Sequence, residues 1–180
     1  MKSIAIVYKS KYGSTKKYAQ WIAEEIRGDL FEYSEVTTKK LMEYDIIVYG
    51  GGLYASRIAG ISVITKNFDA LKHKEIIIFT VGLASTNEDE VFHPIINKIF
   101  SKEMQDYIKF FHLRGGIDYK ELGIIHKSMM AMLKIVISRK KPEELSSDDE
   151  ELLATYGKKV DFTDKNTIEP LLLYLRNQRE

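Results

Sequence analysis

The stretch Ser10-Lys11-Tyr12-Gly13-Ser14-Thr15 decides how the rest of the chain is read. The apolar run Ile4-Ala5-Ile6-Val7-Tyr8 precedes it. A helix-period segment over residues 14–27 follows, with Tyr18, Trp21, Ile22 and Ile26 on one face and Gly28 as its stop. A short loop of hydroxyls and glycine between a buried strand and a helix is suited to phosphate. N–H groups of the loop and helix start converge on the anion, and the helix dipole adds partial positive charge. Ser10, Ser14 and Thr15 supply hydroxyl donors, and Gly13 lets the backbone approach closely. The loop lacks the terminal Gly-Lys-Ser/Thr of a Walker loop and the Gly-x-Gly-x-x-Gly of a dinucleotide fingerprint. An ordinary helix N-cap uses the same residue types, so the rest of the chain has to separate the two readings.

Outward from this loop, apolar runs alternate with helix-period segments, the pattern of an α/β fold around a parallel sheet. The first strand covers residues 3–8, a short second 29–33, a third 45–49 closed by Gly50-Gly51-Gly52, a fourth 75–81 closed by Gly82, and a fifth 107–113 closed by Arg114-Gly115-Gly116. Between them one helix carries Ile61, Ile64, Phe68 and Leu71. Another, capped by Ser85-Thr86-Asn87, buries Phe92, Ile95, Ile96 and Ile99. In a doubly wound sheet, ligands bind at the carboxyl ends of the strands, where the strand order reverses. The loops at residues 10–15, 50–57 and 82–87 all leave such ends, so the fold brings them to one edge.

The 180 residues suffice for one domain with a sizeable core, and 44% apolar with 29% charged residues fits a globular chain. A formal net charge of +1 gives no electrostatic case for a nucleic-acid partner. The absence of cysteine removes disulfides, thiolate metal sites and thiol nucleophiles together. Without a secretory leader pattern, or an apolar run near the roughly 20 residues that span a bilayer, the expected location is cytoplasmic. His73, His93, His112 and His126 lack metal-ligand spacing, and each is expected to be a surface or internally satisfied histidine.

The three loops resemble those of the flavodoxin family. The resemblance spans about residues 2–115 and implies a doubly wound five-stranded parallel sheet of order 2-1-3-4-5, with extra C-terminal helices over about residues 117–180. It implies FMN as cofactor. The phosphate would lie on Ser10, Lys11, Tyr12, Gly13, Ser14 and Thr15. The flavin ring would lie between Gly52, Leu53, Tyr54, Ala55 and Ser56 on one side and Gly82, Leu83, Ala84 and Ser85 on the other, with Gly115 and Gly116 near the same edge. Tyr12 departs from the family's small hydroxyl residue at its place, although its N–H remains. A narrower resemblance reaches flavodoxin-domain proteins that include menaquinone-dependent protoporphyrinogen dehydrogenase. It rests on Ser-Lys-x-Gly-x-Thr, on the basic and apolar segment after strand five, and on Asp161-Phe162-Thr163-Asp164 before a last helix.

That extra segment reads as a long helix over residues 120–138, apolar around most of its circumference, with Lys127, Lys134 and Ser138 as a narrow polar stripe and Arg139-Lys140-Lys141-Pro142 as its end. Such a helix is either buried or faces something outside its domain. The candidates are internal packing, a dimer contact, and a membrane-surface or quinone-access face. Ser147-Asp148-Asp149-Glu150 has capping-box spacing, and a final helix starts near residue 166, keeping Pro170 in its first turn. Three functions follow. One is an FMN-dependent oxidoreductase passing electrons to a redox partner protein or a quinone. The second is a flavodoxin-type carrier without its own substrate, and the third is a flavin-free interaction module. Typical carrier flavodoxins are acidic and this chain is near neutral. No side chain is assigned as a catalytic acid, base or nucleophile.

Overall fold

In β1 (Ile4–Lys9) alternate side chains go to opposite faces of the sheet, and both sets are apolar. Ile4, Ile6 and Tyr8 enter one core, Ala5 and Val7 the other. A strand buried on both sides belongs inside a parallel sheet covered by two layers of helix. The computed structural model describes residues 2–85 and 89–179. After β1 come α1 (Ser14–Ile26), β2 (Asp29–Glu32), α2 (Thr38–Leu41), β3 (Ile46–Tyr54), β4 (Arg57–Ile58), α3 (Ser62–Thr65), α4 (Phe68–Leu71) and β5 (Glu75–Gly82). Then follow α5 (Asp89–Ile99), α6 (Lys102–Tyr107), β6 (Ile108–Arg114), β7 (Gly116–Asp118), α7 (Ile124–Ser138), α8 (Ser147–Thr155), β8 (Lys159–Asp161) and α9 (Glu169–Arg179).

Five strands pair in parallel in the order β2-β1-β3-β5-β6, and the two-residue β4 folds back antiparallel on the end of β3. Counted along the chain, the parallel strands run 2-1-3-4-5, the flavodoxin-like doubly wound order. One face is covered by α1 and α9, through Tyr18, Ile22, Ile26, Leu171, Leu172 and Leu175. The other is covered by Leu41, Ile64, Phe68, Leu71 and Phe100.

Several expectations need correction. The glycines 50–52 do not end the third strand, which runs on to Tyr54. A Cβ on Gly50 would lie 2.1 Å from Phe79 Cζ, and one on Gly51 2.4 Å from Ile58 Cγ2. These glycines make room for neighbouring side chains while staying in the ladder. The α1 stop is also different. Arg27 takes the left-handed conformation at φ 50°, while Gly28 serves close packing, since its Cβ would meet Ile6 Cδ1 at 2.4 Å. The single helix expected through Ile61 and Leu71 is two short ones, α3 and α4, parted at Asn67, whose amide nitrogen donates to the Val63 carbonyl at 2.9 Å. The long helix starts at Ile124 rather than 120, because residues 116–118 pair antiparallel with β8 as β7. The α8 capping box is one residue earlier than expected, between Ser146 and Asp149. The last helix is preceded by a 3-10 turn at Lys165–Ile168 capped by Asp164, and Pro170 falls in the first turn of α9. The expected capping by Thr86 and Asn87 lies outside the described residues.

Among the described residues no helix is long and apolar enough to cross a membrane. Gly50→Ala is expected to lower unfolding free energy by about 1–3 kcal/mol through overpacking against Phe79. Gly82→Ala, whose methyl would meet only Leu53 at an ordinary 3.4 Å, is expected to change it little. Urea denaturation midpoints of the two variants test the difference.

Candidate functional site

The parallel register delivers the ends of β1, β3, β5 and β6 to one edge. There the β1–α1 loop turns at Gly13, whose φ of +98° lies in the region glycine enters freely. Ser10 Oγ accepts the Gly13 N–H at 3.1 Å, which closes the loop on itself. The first intrahelical bond of α1 is Lys17 N–H to the Gly13 carbonyl, 2.9 Å. No side chain caps this helix end. The backbone amides of Ser14, Thr15 and Lys16 therefore begin α1 without a carboxylate or hydroxyl cap, as an anion-binding helix start requires.

The surrounding loops are held in place by direct bonds. Ser14 Oγ accepts the Gly116 N–H at 3.1 Å, and the Gly115 N–H donates to the Gly82 carbonyl at 2.7 Å. A Cβ on Gly115 would come within 2.8 Å of Val81 and 3.3 Å of Ser14 Cβ, so the three loops meet too closely for a side chain there. Tyr18 Oη donates to the Arg114 carbonyl at 2.7 Å and accepts the Asp164 N–H at 3.1 Å, tying α1 to the C-terminal segment. On the far side, Asp148 of α8 accepts the Ser85 N–H at 2.7 Å. Arg114 donates to the Leu83 carbonyl at 2.9 Å, pairs with Glu151 and stacks 3.9 Å over the Phe162 ring. The loop after β5 is thus clamped by α8.

The loop after β3 is a two-residue hairpin turn. Leu53 pairs with Ile58 and Tyr54 with Arg57, leaving Ala55 at φ 46° and Ser56 at φ 58°. Two successive positive φ values make a type I′ turn, which is ordinarily built from glycine or asparagine. The Tyr54 ring folds back over Gly52, where a Cβ would be 2.7 Å away.

These elements form one cleft. Tyr12, Ser14, Thr15, Leu53, Tyr54, Ala55, Gly82, Leu83, Gly115 and Gly116 line it, all named in advance from the sequence. Lys11 and Gly13 face an adjoining polar cleft with Lys17 and Asp161, and Ala84 faces a third beside α8. Ser10, Gly52, Ser56 and Ser85 lie in the same loops but line none of these three clefts. Sequence reasoning missed the roof, which is His126, Met129 and Met130 of α7 with Leu122 and Ile117. The available signal was Met129 and Met130 one turn beyond His126, on an apolar helix following the fifth strand.

His126 organises this roof. Its Nδ1 lies 2.7 Å from Tyr12 Oη, and its ring stacks on Tyr54 with centroids 5.0 Å apart and planes 16° from parallel. Tyr12 meets Tyr54 edge-on at 6.0 Å, and its hydroxyl also accepts the Gly123 N–H at 3.4 Å. Tyr12, the departure from the family pattern, is thus the post to which α7 is fastened. Burial pushes the Tyr54 phenol up, the neighbouring Tyr12 pushes it further, and a bond from the Lys11 amide partly offsets both. Burial, and then the nearby Lys11 ammonium, lower the His126 imidazole below its ordinary 6.5.

A doubly wound α/β sheet with an uncapped helix start and three converging strand-end loops defines a protein of flavodoxin-like architecture. A flavodoxin-domain family model matches residues 5–145, and the chain belongs to that family. Among curated proteins it is 28% identical over 110 residues to an uncharacterized protein of Methanocaldococcus jannaschii. That alignment covers 58% of this chain and 64% of the relative, so the chain spans under two thirds of the length of the curated protein it matches. Similar solved structures include flavodoxin 2 of Bacillus cereus, at 15% identity and a TM-score of 0.42 over 84% of this chain and 93% of that one. A flavoprotein in complex with FMN from Lactobacillus acidophilus is 21% identical, with a TM-score of 0.40 over 63% of this chain and 93% of that one.

Protonation of His126 is expected at a pH below 6.5, because the folded environment favours the neutral ring. Its contribution to stability is then complete above the unfolded imidazole value and is lost as pH falls through the lower folded value. Lys11→Gln removes the repelling ammonium and should raise the midpoint without restoring it fully, since burial is the larger cause. A histidine-resolved NMR titration of both proteins checks this. A midpoint unchanged by the substitution would disprove the Lys11 contribution.

Proposed function

We propose that the cleft binds FMN and that the protein is a flavin-dependent redox protein. The observation that carries this reading is the convergence of the uncapped amides of α1 with the loops after β3 and β5 in one cleft. The donor set fits the group. The amides of Ser14, Thr15 and Lys16 suit a phosphate, and the cleft-lining hydroxyls of Ser14 and Thr15 each retain a proton to donate. Leu53, Tyr54, Ala55, Gly82 and Leu83 offer apolar and backbone surface for a flat ring. FMN, when bound, supplies reversible acceptance and release of electrons singly or as hydride.

The chain's own residues anchor, orient and exclude water. Clamping of the Leu83–Ser85 loop by Asp148 and Arg114 fixes the backbone that would face the ring's polar edge. Tyr54, whose phenol burial pushes up, presents an uncharged aromatic surface. Met129 and Met130 close the roof with adaptable apolar side chains. This roof favours an apolar electron acceptor such as a quinone over a docking protein with a charged surface. Dehydrogenation of a porphyrinogen coupled to quinone reduction is the specific activity in keeping with the narrower sequence resemblance. The near-neutral net charge of +1 argues against a carrier that relies on an acidic face.

Release of bound flavin by denaturation, followed by chromatography of the released species, tests the cofactor. FMN is the expected product. In fluorescence titrations of the flavin-free protein, FMN is expected to bind at least about tenfold more tightly than riboflavin, because only FMN engages the α1 amides. Equal affinities would remove the phosphate site. Thr15→Ala is expected to weaken FMN binding about threefold to tenfold through loss of a hydroxyl donor. Ser56→Ala, at the hairpin tip, should weaken it less.

A further inference from the structure

α7 turns a broad apolar surface away from the protein. Its inner side, with His126, Met129, Met130 and Ile137, meets the cleft roof and the neighbouring groove. The opposite side carries Ile124, Ile125, Met132, Ile135 and Val136, and the first three are 86%, 75% and 70% exposed. At 3.6 residues per turn these five fall within an arc of about 120°, which also holds the exposed Ser128. Among the described residues nothing covers that arc.

The charges on α7 and on the short run after it share one sign, with Glu121 before the helix and Glu143 and Glu144 beyond Pro142 at its two ends. Between Leu122 and Pro142 the chain has no Asp or Glu, and it carries Lys127, Lys134, Arg139, Lys140 and Lys141. Lys140 is held by Asp149 of α8 at 2.6 Å. Lys134 lies 4.4 Å over the Tyr156 ring, and Lys127 reaches the Lys120 carbonyl at 3.2 Å, so neither of these contacts is to a carboxylate. Lys127 and Lys134 border the apolar arc along one flank, and Arg139 with Lys141 closes its C-terminal end.

We propose that α7 is a docking face for a membrane surface containing anionic phospholipid. An apolar arc bordered by cations matches the boundary between acyl chains and phosphate headgroups. The isoleucines and Met132 enter the apolar layer, while lysines extend their stems along it and keep their ammonium groups among the phosphates. A second copy of this chain fits the face less well. Two α7 helices placed face to face would bring the cations of one helix toward those of the other, and α7 itself carries no acid to pair with them. The inference stands on α7 alone and does not rest on FMN binding.

The test is sedimentation of the purified full chain with vesicles of phosphatidylcholine alone or of phosphatidylcholine mixed with phosphatidylglycerol. At low salt, binding to the mixed vesicles is expected to exceed that to neutral ones by about tenfold or more, and to fall as salt is raised. The double variant Ile125→Asn, Ile135→Asn is expected to lose about tenfold in vesicle binding. Both positions face solvent, so its urea midpoint should match the parent's. Lys127→Gln with Lys141→Gln should weaken binding to mixed vesicles only. Absence of binding to mixed vesicles at low salt would overturn the proposal, as would unchanged binding by the isoleucine variant. A concentration-dependent dimer in analytical ultracentrifugation, abolished by the isoleucine variant, would assign the face to a second copy and overturn it equally. Flavin affinity is a separate measurement, so failure here leaves the cofactor reading independently testable.

Discussion

Tyr8, Gly50, Phe79 and Phe111 stand side by side on four adjacent parallel strands. This alignment fixes the level at which each strand ends, and therefore the level from which each loop departs. It survives because Gly50 has no side chain where the Phe79 ring lies. A one-residue slip of either strand would turn every side chain to the opposite face and exchange the contents of the two cores. The cleft is thus a by-product of sheet register. Its walls are the last residues of these ladders and the loops that leave them.

The sheet was legible because its strands are buried on both faces, and doubly buried strands read as unbroken apolar runs such as Ile76-Ile77-Ile78-Phe79. The loops were legible by the same logic, since the ends of such runs can be located along the chain. Glycine misled where its two roles overlap. Gly50-Gly51-Gly52 look like a stop because glycine so often turns the chain, yet here they give space to Phe79, Ile58 and Tyr54. Nothing in a single sequence separates a glycine that bends from one that makes room, since the deciding atoms belong to other residues of the folded chain.

The C-terminal third was less legible for a related reason. β7 and β8 are three residues each and pair across more than forty residues of chain, so neither carries a periodicity of its own. Their pairing shortens α7 and sets where it begins. The inner face of α7 is chosen by Tyr12, a residue more than a hundred positions earlier. Helical periodicity shows that α7 is apolar nearly all round, but cannot say which third of the circumference meets the cleft. His126 looked unremarkable among four histidines without metal spacing, and its importance comes from its tyrosine neighbours.

α9 covers the same side of the sheet as α1, with Leu171, Leu172 and Leu175, and Ile168 of the turn before it, packed in one core with side chains from the first strand and first helix. The opening strand therefore waits for almost the last part of the chain before its apolar face is closed. During synthesis, which runs from the amino end, α1 covers part of that face early and the rest stays open while the intervening residues emerge. Such a molecule has a long vulnerable interval on the ribosome, and a chaperone that shields a half-finished sheet would find its binding surface there.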